Sequence, residues 1–137
     1  MKKALPFLFL PMAALSFLSC QKERNDFDLA GTQWRVEKIK EEGDSNFRWT
    51  FKKYIFDFQS DSNFVFNLDI NGCGARYHLV DMEGKIFISP PICTMICCDT
   101  KFAEDMALLV PKMTTYYRKR NKLILEGRGE IVLTRHY

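Results

Sequence analysis

From Tyr54 onward the chain sets an apolar side chain at every second position, a period that fits only one kind of element. Tyr54, Phe56 and Phe58 alternate with Ile55 and Asp57. Beyond the turn residues Ser60-Asp61-Ser62-Asn63, Phe64, Phe66, Leu68 and Ile70 alternate with Val65, Asn67 and Asp69. Successive side chains of a strand leave opposite faces, so this stretch reads as a hairpin with one aromatic face. The content of 12 Phe, 5 Tyr and 2 Trp favours strands throughout. Asn71-Gly72 turns the chain again. Cys73, Ala75, Tyr77 and Leu79 then share an apolar face, which leaves Arg76 and His78 outside. Glu83-Gly84 turns into Lys85-Ile86-Phe87-Ile88, and Pro90-Pro91 ends that strand because proline cannot donate to a ladder. Upstream, Gly31 to Ile39 carries Trp34 and Val36 against polar neighbours and reads as a first strand, followed by a polar loop from Lys40 to Thr50.

The period changes once. Phe102, Met106, Leu109, Val110 and Met113 are spaced as on one face of a helix over Lys101–Met113. Asp99 or Thr100 can cap its start, and Pro111 should end or kink it. Strands resume at Tyr116-Tyr117, Leu123-Ile124-Leu125 and Ile131-Val132-Leu133, with turns at Asn121 and Gly127-Arg128-Gly129. Short connections between strands imply antiparallel pairing. The fold class expected is therefore α+β, a curved antiparallel sheet or partly open barrel packed on a single helix.

The first twenty residues have a different character. Lys2 and Lys3 precede an apolar run, Ala4 to Leu18, which is short for a bilayer span and broken by Pro6 and Pro11. This is the pattern of a secretory signal peptide. Its end, Leu15-Ser16-Phe17-Leu18-Ser19-Cys20, resembles the bacterial lipobox, with Phe17 where a leucine-like residue is usual. The resemblance implies cleavage before Cys20 and acylation of Cys20 by palmitate-type chains, a stable anchor when more than one chain is attached. The organisation expected is a signal peptide over 1–19, a lipidated tether over 20–29 and a single domain over 30–137, held at the cell envelope and most simply at the outer membrane. Cleavage would remove 19 of 137 residues, leaving 118, enough for one core. It would also remove two lysines, lowering Lys+Arg from 20 to 18 against 17 Asp+Glu, a net charge of about +1. So small an excess gathers no phosphates, and nucleic acid is not an expected partner.

Four cysteines remain: Cys73, Cys93, Cys97 and Cys98. In an exported protein an even number suggests disulfides, and four cysteines allow three pairings. Cys93 and Cys97 can pair only across a turn, since an extended chain holds their Cα atoms about 13 Å apart. A zinc site from these cysteines and His78 lacks the two close pairs that structural zinc uses, so no metal and no cofactor are expected. A cysteine nucleophile needs a histidine base, and neither His78 nor His136 stands in a catalytic motif. No enzyme is therefore expected. Asp69-Ile70-Asn71-Gly72 begins like a calcium loop but lacks the carboxylates that should follow, and reads as a turn. Arg118-Lys119-Arg120 with Lys122 is either a contact for anionic lipid head groups or the solvated side of a hairpin balanced by Glu126 and Glu130. Phe47, Trp49 and Phe51 either form an exposed aromatic rim or pack into the next strand.

The order of motifs from Asn71 to Leu133 resembles the META domain of heat-inducible HslJ-like envelope lipoproteins. The resemblance is carried by Gly72-Cys73-Gly74 with Tyr77, Gly84-Lys85-Ile86, Thr94-Met95-Ile96-Cys97-Cys98-Asp99, Glu104, Tyr116 or Tyr117, and Asn121-Lys122-Leu123-Ile124-Leu125. Gly31-Thr32-Gln33-Trp34 fits the family's opening strand. Gly74 stands where the family has asparagine, and the methionine-alanine-cysteine step is altered. The resemblance implies a disulfide between the cysteine after the Asn71-Gly72 turn and the one before the helix: counting four residues on from Thr94 selects Cys98, matching methionine-x-cysteine selects Cys97, and Cys73–Cys98 is preferred because it keeps two landmarks. Cys93 and Cys97 would be the second pair if a turn brings them together. It also implies a non-enzymatic envelope protein contributing to stress tolerance or surface integrity by contact with another envelope component. A second class of function is a lipocalin-like carrier that holds a small apolar ligand among Phe56, Phe58, Phe64 and Phe66.

Overall fold

The computed structural model describes residues 28–80 and 84–137. Cys20, the signal segment and the tether up to residue 27 lie outside the described residues, as does Glu83 of the expected turn. The strands are β1 (Thr32–Glu41), β2 (Arg48–Trp49), β3 (Ile55–Phe58), β4 (Asn63–Asn67), β5 (Gly72–Val80), β6 (Lys85–Ile88), β7 (Ile92–Cys93), β8 (Met113–Lys119), β9 (Lys122–Gly127) and β10 (Gly129–His136). The helix α1 spans Lys101–Leu109 and runs into a single 3-10 turn, Val110–Lys112. Pro111 stands in that turn and ends the α-helix, as its ring predicts.

Eight of the strands form a closed antiparallel barrel in the order β1-β3-β4-β5-β6-β8-β9-β10, and β10 pairs back onto β1. The barrel is not partly open. β10 pairs along β1 from Gln33↔His136 to Glu41↔Gly129, so the first and last strands leave no gap between them. The short strands β2 and β7 extend the wall from β1 and β5. In β1 and β8 the inward face shifts by one residue. Trp34 and Val36 face inward, but the next buried residue is Ile39, an odd step accommodated by a register shift between Val36 and Lys38. Met113 and Tyr116 make the same odd step across a shift in β8. Each extra residue bends its strand and sharpens the twist that closure requires.

An eight-stranded barrel is just wide enough for side chains to fill it. Trp34, Phe56, Phe58 and Phe64 are completely buried inside this one. Phe64 stacks on Phe58 with ring centroids 4.7 Å apart and meets the edge of Phe56 at 5.1 Å, and Tyr77 meets Phe58 edge-on at 5.2 Å. Such offset and edge-on pairs add to what burial alone contributes. Polar atoms carried inside are satisfied: Trp34 Nε1 donates to Thr32 Oγ1 at 2.8 Å, and Tyr77 Oη donates to the Gln59 carbonyl at 2.8 Å.

The two mouths are sealed differently. At the end where the chain enters β1, Leu29 is completely buried, and Thr32 Oγ1 donates to its carbonyl at 2.5 Å. At the other end α1 turns Ala103, Met106 and Leu109 into the same core. The β9–β10 turn closes tightly on this helix end. A Cβ at Gly129, where φ is +137°, would stand 2.5 Å from the Lys40 carbonyl and 2.8 Å from Leu109, so a bare backbone is needed there.

Candidate functional site

Irregular backbone and exposed apolar side chains concentrate at the helix end. Three connections meet there: β2 to β3, β4 to β5, and β7 to α1. Asp69 ties them together. Its Oδ1 accepts from Lys52 Nζ at 2.5 Å and from Tyr54 Oη at 2.8 Å, and its Oδ2 accepts from the Thr100 backbone N–H at 2.8 Å and the Thr100 hydroxyl at 2.6 Å. Burial opposes its charge, but the bonds from Lys52 and Thr100 outweigh it and hold the carboxyl well below the usual carboxylate range. Burial, with donation to Asp69, pushes the Tyr54 hydroxyl up. These donors engage both oxygens of Asp69. Thr100 occupies the N-cap position of α1 but spends its hydroxyl on Asp69 and makes no side-chain cap bond.

Asn71 is the second knot. Its amide donates to the Ile96 carbonyl at 2.6 Å and to Asp99 Oδ2, and its Oδ1 accepts from the Thr94 hydroxyl at 2.7 Å and the Ile96 N–H at 2.8 Å. Asp99 Oδ1 accepts from the Ile70 N–H at 2.8 Å. The Asn71 side chain and this N–H lower the Asp99 carboxyl. The side chain that a sequence reader assigns to a turn thus anchors the loop that leads into the helix.

Around these knots lies a groove of about 470 Å³ lined by Trp49, Thr50, Phe51, Lys52, Tyr54, Thr100 and Phe102. Tyr54 and Phe102 stack at 5.7 Å and form its base. Phe51 is 97% exposed and Trp49 58%. Of the two readings of this run, the exposed rim is realised for Trp49 and Phe51, whereas Phe47 is half-buried. Lys38 Nζ lies 4.3 Å from the Phe47 ring centroid and 4.5 Å from that of Trp49, which holds this rim on the outer face of β1. Ile70, Ile96 and Met95 are exposed on the adjoining loops. Two further grooves, of about 560 and 350 Å³, lie on the outer face of β3, β4 and β5 and share Val65 and Gly74.

The cysteines pair differently from the expectation. Cys73 is bonded to Cys93, not to Cys98, and the other pair is Cys97–Cys98, not Cys93–Cys97. The reason lies in β7. After Pro90-Pro91 interrupts the edge, the chain returns to β5 and sets Cys93 directly opposite Cys73 in the ladder, with Cα atoms 4.1 Å apart. Cys98 lies in the loop that Asn71 holds between Ile96 and Asp99, outside that ladder. Cys73 is buried, whereas Cys97 and Cys98 are exposed.

His78 is exposed beside Arg76, on the face of β5 opposite Cys73 and about five residues or 17 Å along it. Among the described residues no three His, Cys, Asp or Glu side chains gather to hold a metal. The basic run is divided. Arg118, Lys119 and Arg120 are exposed at the β8–β9 turn, at the end where the chain enters, whereas Lys122 turns back along the wall onto Glu37 at 2.6 Å. The positions that sequence reasoning missed are Tyr54, Thr100 and Phe102 as groove lining. Tyr54 and Phe102 each carry an apolar periodicity in the sequence, and nothing in it brings the two together.

No helix among the described residues is long and apolar enough to cross a membrane. No known protein-family model matches the chain, and comparison with curated proteins gives no match. Solved structures do share its fold. A DUF4847 family protein from Bacteroides vulgatus ATCC 8482 superposes with a TM-score of 0.59 at 12% identity, covering 77% of this chain and 93% of that one. A protein from Burkholderia xenovorans superposes with a TM-score of 0.60 at 14% identity, covering 79% and 83%. At these identities the likeness is one of fold: an antiparallel barrel with one short helix.

Proposed function

We propose that this chain is an exported, META/HslJ-like envelope lipoprotein, anchored through acyl chains on Cys20, that acts without catalysis by contact with another envelope component. The observation that carries this reading is the polarity of the barrel. The chain enters at one mouth, where Leu29 is buried, and the exposed aromatic groove lies at the other. A tether attached at the first mouth leaves the second facing away from the membrane. Exposed aromatic residues with a few fixed polar groups between them are what contact surfaces are made of. The Asp69 and Asn71 knots hold the surrounding loops in place, which lowers the ordering cost of binding.

Two measurements test it. The intact mass of protein taken from membrane fractions should show Cys20 as the acylated N-terminus, and an unmodified Cys20 would end the lipoprotein reading. A photo-crosslinking residue at Phe51 should yield adducts in intact cells that the same residue at Ser60, at the opposite mouth, does not. Equal yields from both positions would remove the helix end as the contact surface.

The carrier reading draws support from the closed eight-stranded wall, the size that encloses one small ligand in other barrels. Against it, Phe56, Phe58, Phe64 and Phe66 pack on one another with centroids about 5 Å apart, the distance of filled contact. Native mass spectrometry of protein from its own membrane separates the two readings, because a co-purifying apolar molecule would favour the carrier.

A further inference from the structure

The two disulfides differ in what they can do for the fold. A cross-link stabilises chiefly by restricting the unfolded chain, and the restriction grows with the loop it closes. Cys73 and Cys93 are 20 residues apart and join two paired strands next to the core. Cys97 and Cys98 are neighbours, so a bond between them closes no loop of the chain and joins no two elements. The loop that carries them is already fixed without it: Asn71 binds both the N–H and the carbonyl of Ile96 on one side and Asp99 on the other. The pair is thereby held out at the surface between two fixed points, free to open without loss of the surrounding structure. Met95, 97% exposed, Ile96, 60% exposed, and Ile70, 52% exposed, flank it and offer apolar contact that a small thiol does not require.

We propose that Cys97 and Cys98 form a reversible surface thiol–disulfide site, exchanged with a protein that carries a cysteine pair of its own, while Cys73–Cys93 remains closed as the staple. In the reducing direction a thiolate of the partner attacks one sulfur of the pair. A mixed disulfide forms and the other cysteine leaves as a thiolate, which takes up a proton. The partner's second thiolate then attacks the mixed disulfide, releasing the first cysteine. Two electrons and two protons pass from the partner dithiol to Cys97 and Cys98, and the partner leaves as a disulfide. The reverse sequence oxidises the pair. Exposed disulfides are the ones open to such exchange. The proposal does not depend on the lipid anchor or on the aromatic groove.

The test uses the full chain under native conditions, with reduced thioredoxin as the protein dithiol, followed by alkylation with iodoacetamide and peptide mapping. Cys97 and Cys98 should become alkylated together at a dithiol concentration at least about tenfold below that which opens Cys73–Cys93. Reoxidation with glutathione disulfide should close the pair again and leave no glutathione bound. The variants Cys97→Ser and Cys98→Ser should each retain glutathione on the remaining cysteine, with the melting temperature unchanged. Simultaneous opening of both disulfides, failure of thioredoxin to open either one, or glutathione that stays on the unsubstituted pair would each overturn the proposal. So would serine variants that take up no glutathione, since the sulfurs would then be closed to a partner.

Discussion

The two mouths of the barrel solve the same problem with different means. Where the chain enters, one buried leucine and a short hydrogen-bonded turn close the core, with Thr32 serving both Leu29 and Trp34. At the other mouth a nine-residue helix does so, surrounded by three connections tied through Asp69 and Asn71. Sealing a core takes little chain. The additional construction at the helix end accompanies the exposed aromatic groove and the exposed cysteine pair, and it is there that the molecule departs most from a minimal barrel.

That contrast can be broken by substitution. Met106→Ala should cost about 3–4 kcal/mol, near the upper half of the range for a buried methionine, because α1 is held from several sides and cannot collapse into the void. Leu29→Ala should cost less, about 2–3 kcal/mol, since its short lead-in segment can relax. Urea denaturation of both variants checks the order, and a larger loss at Leu29 would reverse the assignment of the stronger seal. Next, joint substitution Cys73→Ser and Cys93→Ser should cost about 3 kcal/mol for a loop of this size, with Cys97→Ser and Cys98→Ser together costing almost nothing. Comparable losses from the two pairs would mean that the exposed pair is structural after all.

Asn71→Ala should cost about 1–3 kcal/mol, because it strips partners from the backbone of Ile96 and leaves Asp99 with one side-chain donor fewer. Amide exchange should accelerate over residues 94–100 and stay unchanged at the opposite mouth. A uniform increase would show that the knot supports the whole barrel and not its end. The smallest effect concerns acid. Asp69 is held below its ordinary value in the folded protein, so its contribution is fully present above about pH 4, the unfolded value, and is lost as pH falls through the folded one. Glu37, under its bonds from Lys122 and Thr134, and Asp105, under those from Lys101 and Arg48, act in the same direction. Asp69→Asn should therefore flatten the loss of stability below about pH 4, whereas a steeper loss in the variant would contradict the sign.

Much of this architecture is legible in the residues, and the illegible parts have physical causes. Alternation from Tyr54 to Leu79 identifies three strands and their inward face, because one face buried and one wet leaves a period of two, except that Ile70, expected on that face, lies exposed in the connection after β4. The helix is equally plain, although it stops at Leu109 before Pro111, and Met113, expected as its last apolar position, begins β8. Closure is not, because it depends on β1 and β10 meeting across the length of the chain, with a bulge that shifts the pattern between Val36 and Lys38. The disulfide expectation failed at Pro90-Pro91. Proline does stop the ladder there, but only for two residues, after which Ile92-Cys93 rejoins β5. At the candidate site, the aromatic run at Phe47, Trp49 and Phe51 was visible, whereas the Tyr54–Phe102 stack joins residues 48 positions apart and left no local trace.

Closure has a further consequence for encounters between copies of the chain. A sheet with open borders offers unpaired backbone to any neighbouring strand. Here the wall returns on itself. The two-residue strand β7, with Ile92 84% exposed, adds to it beside Pro90-Pro91, which lack the N–H groups that an incoming strand would need. The prolines that mislead a reader of the cysteines thus guard the same short stretch against accidental strand addition.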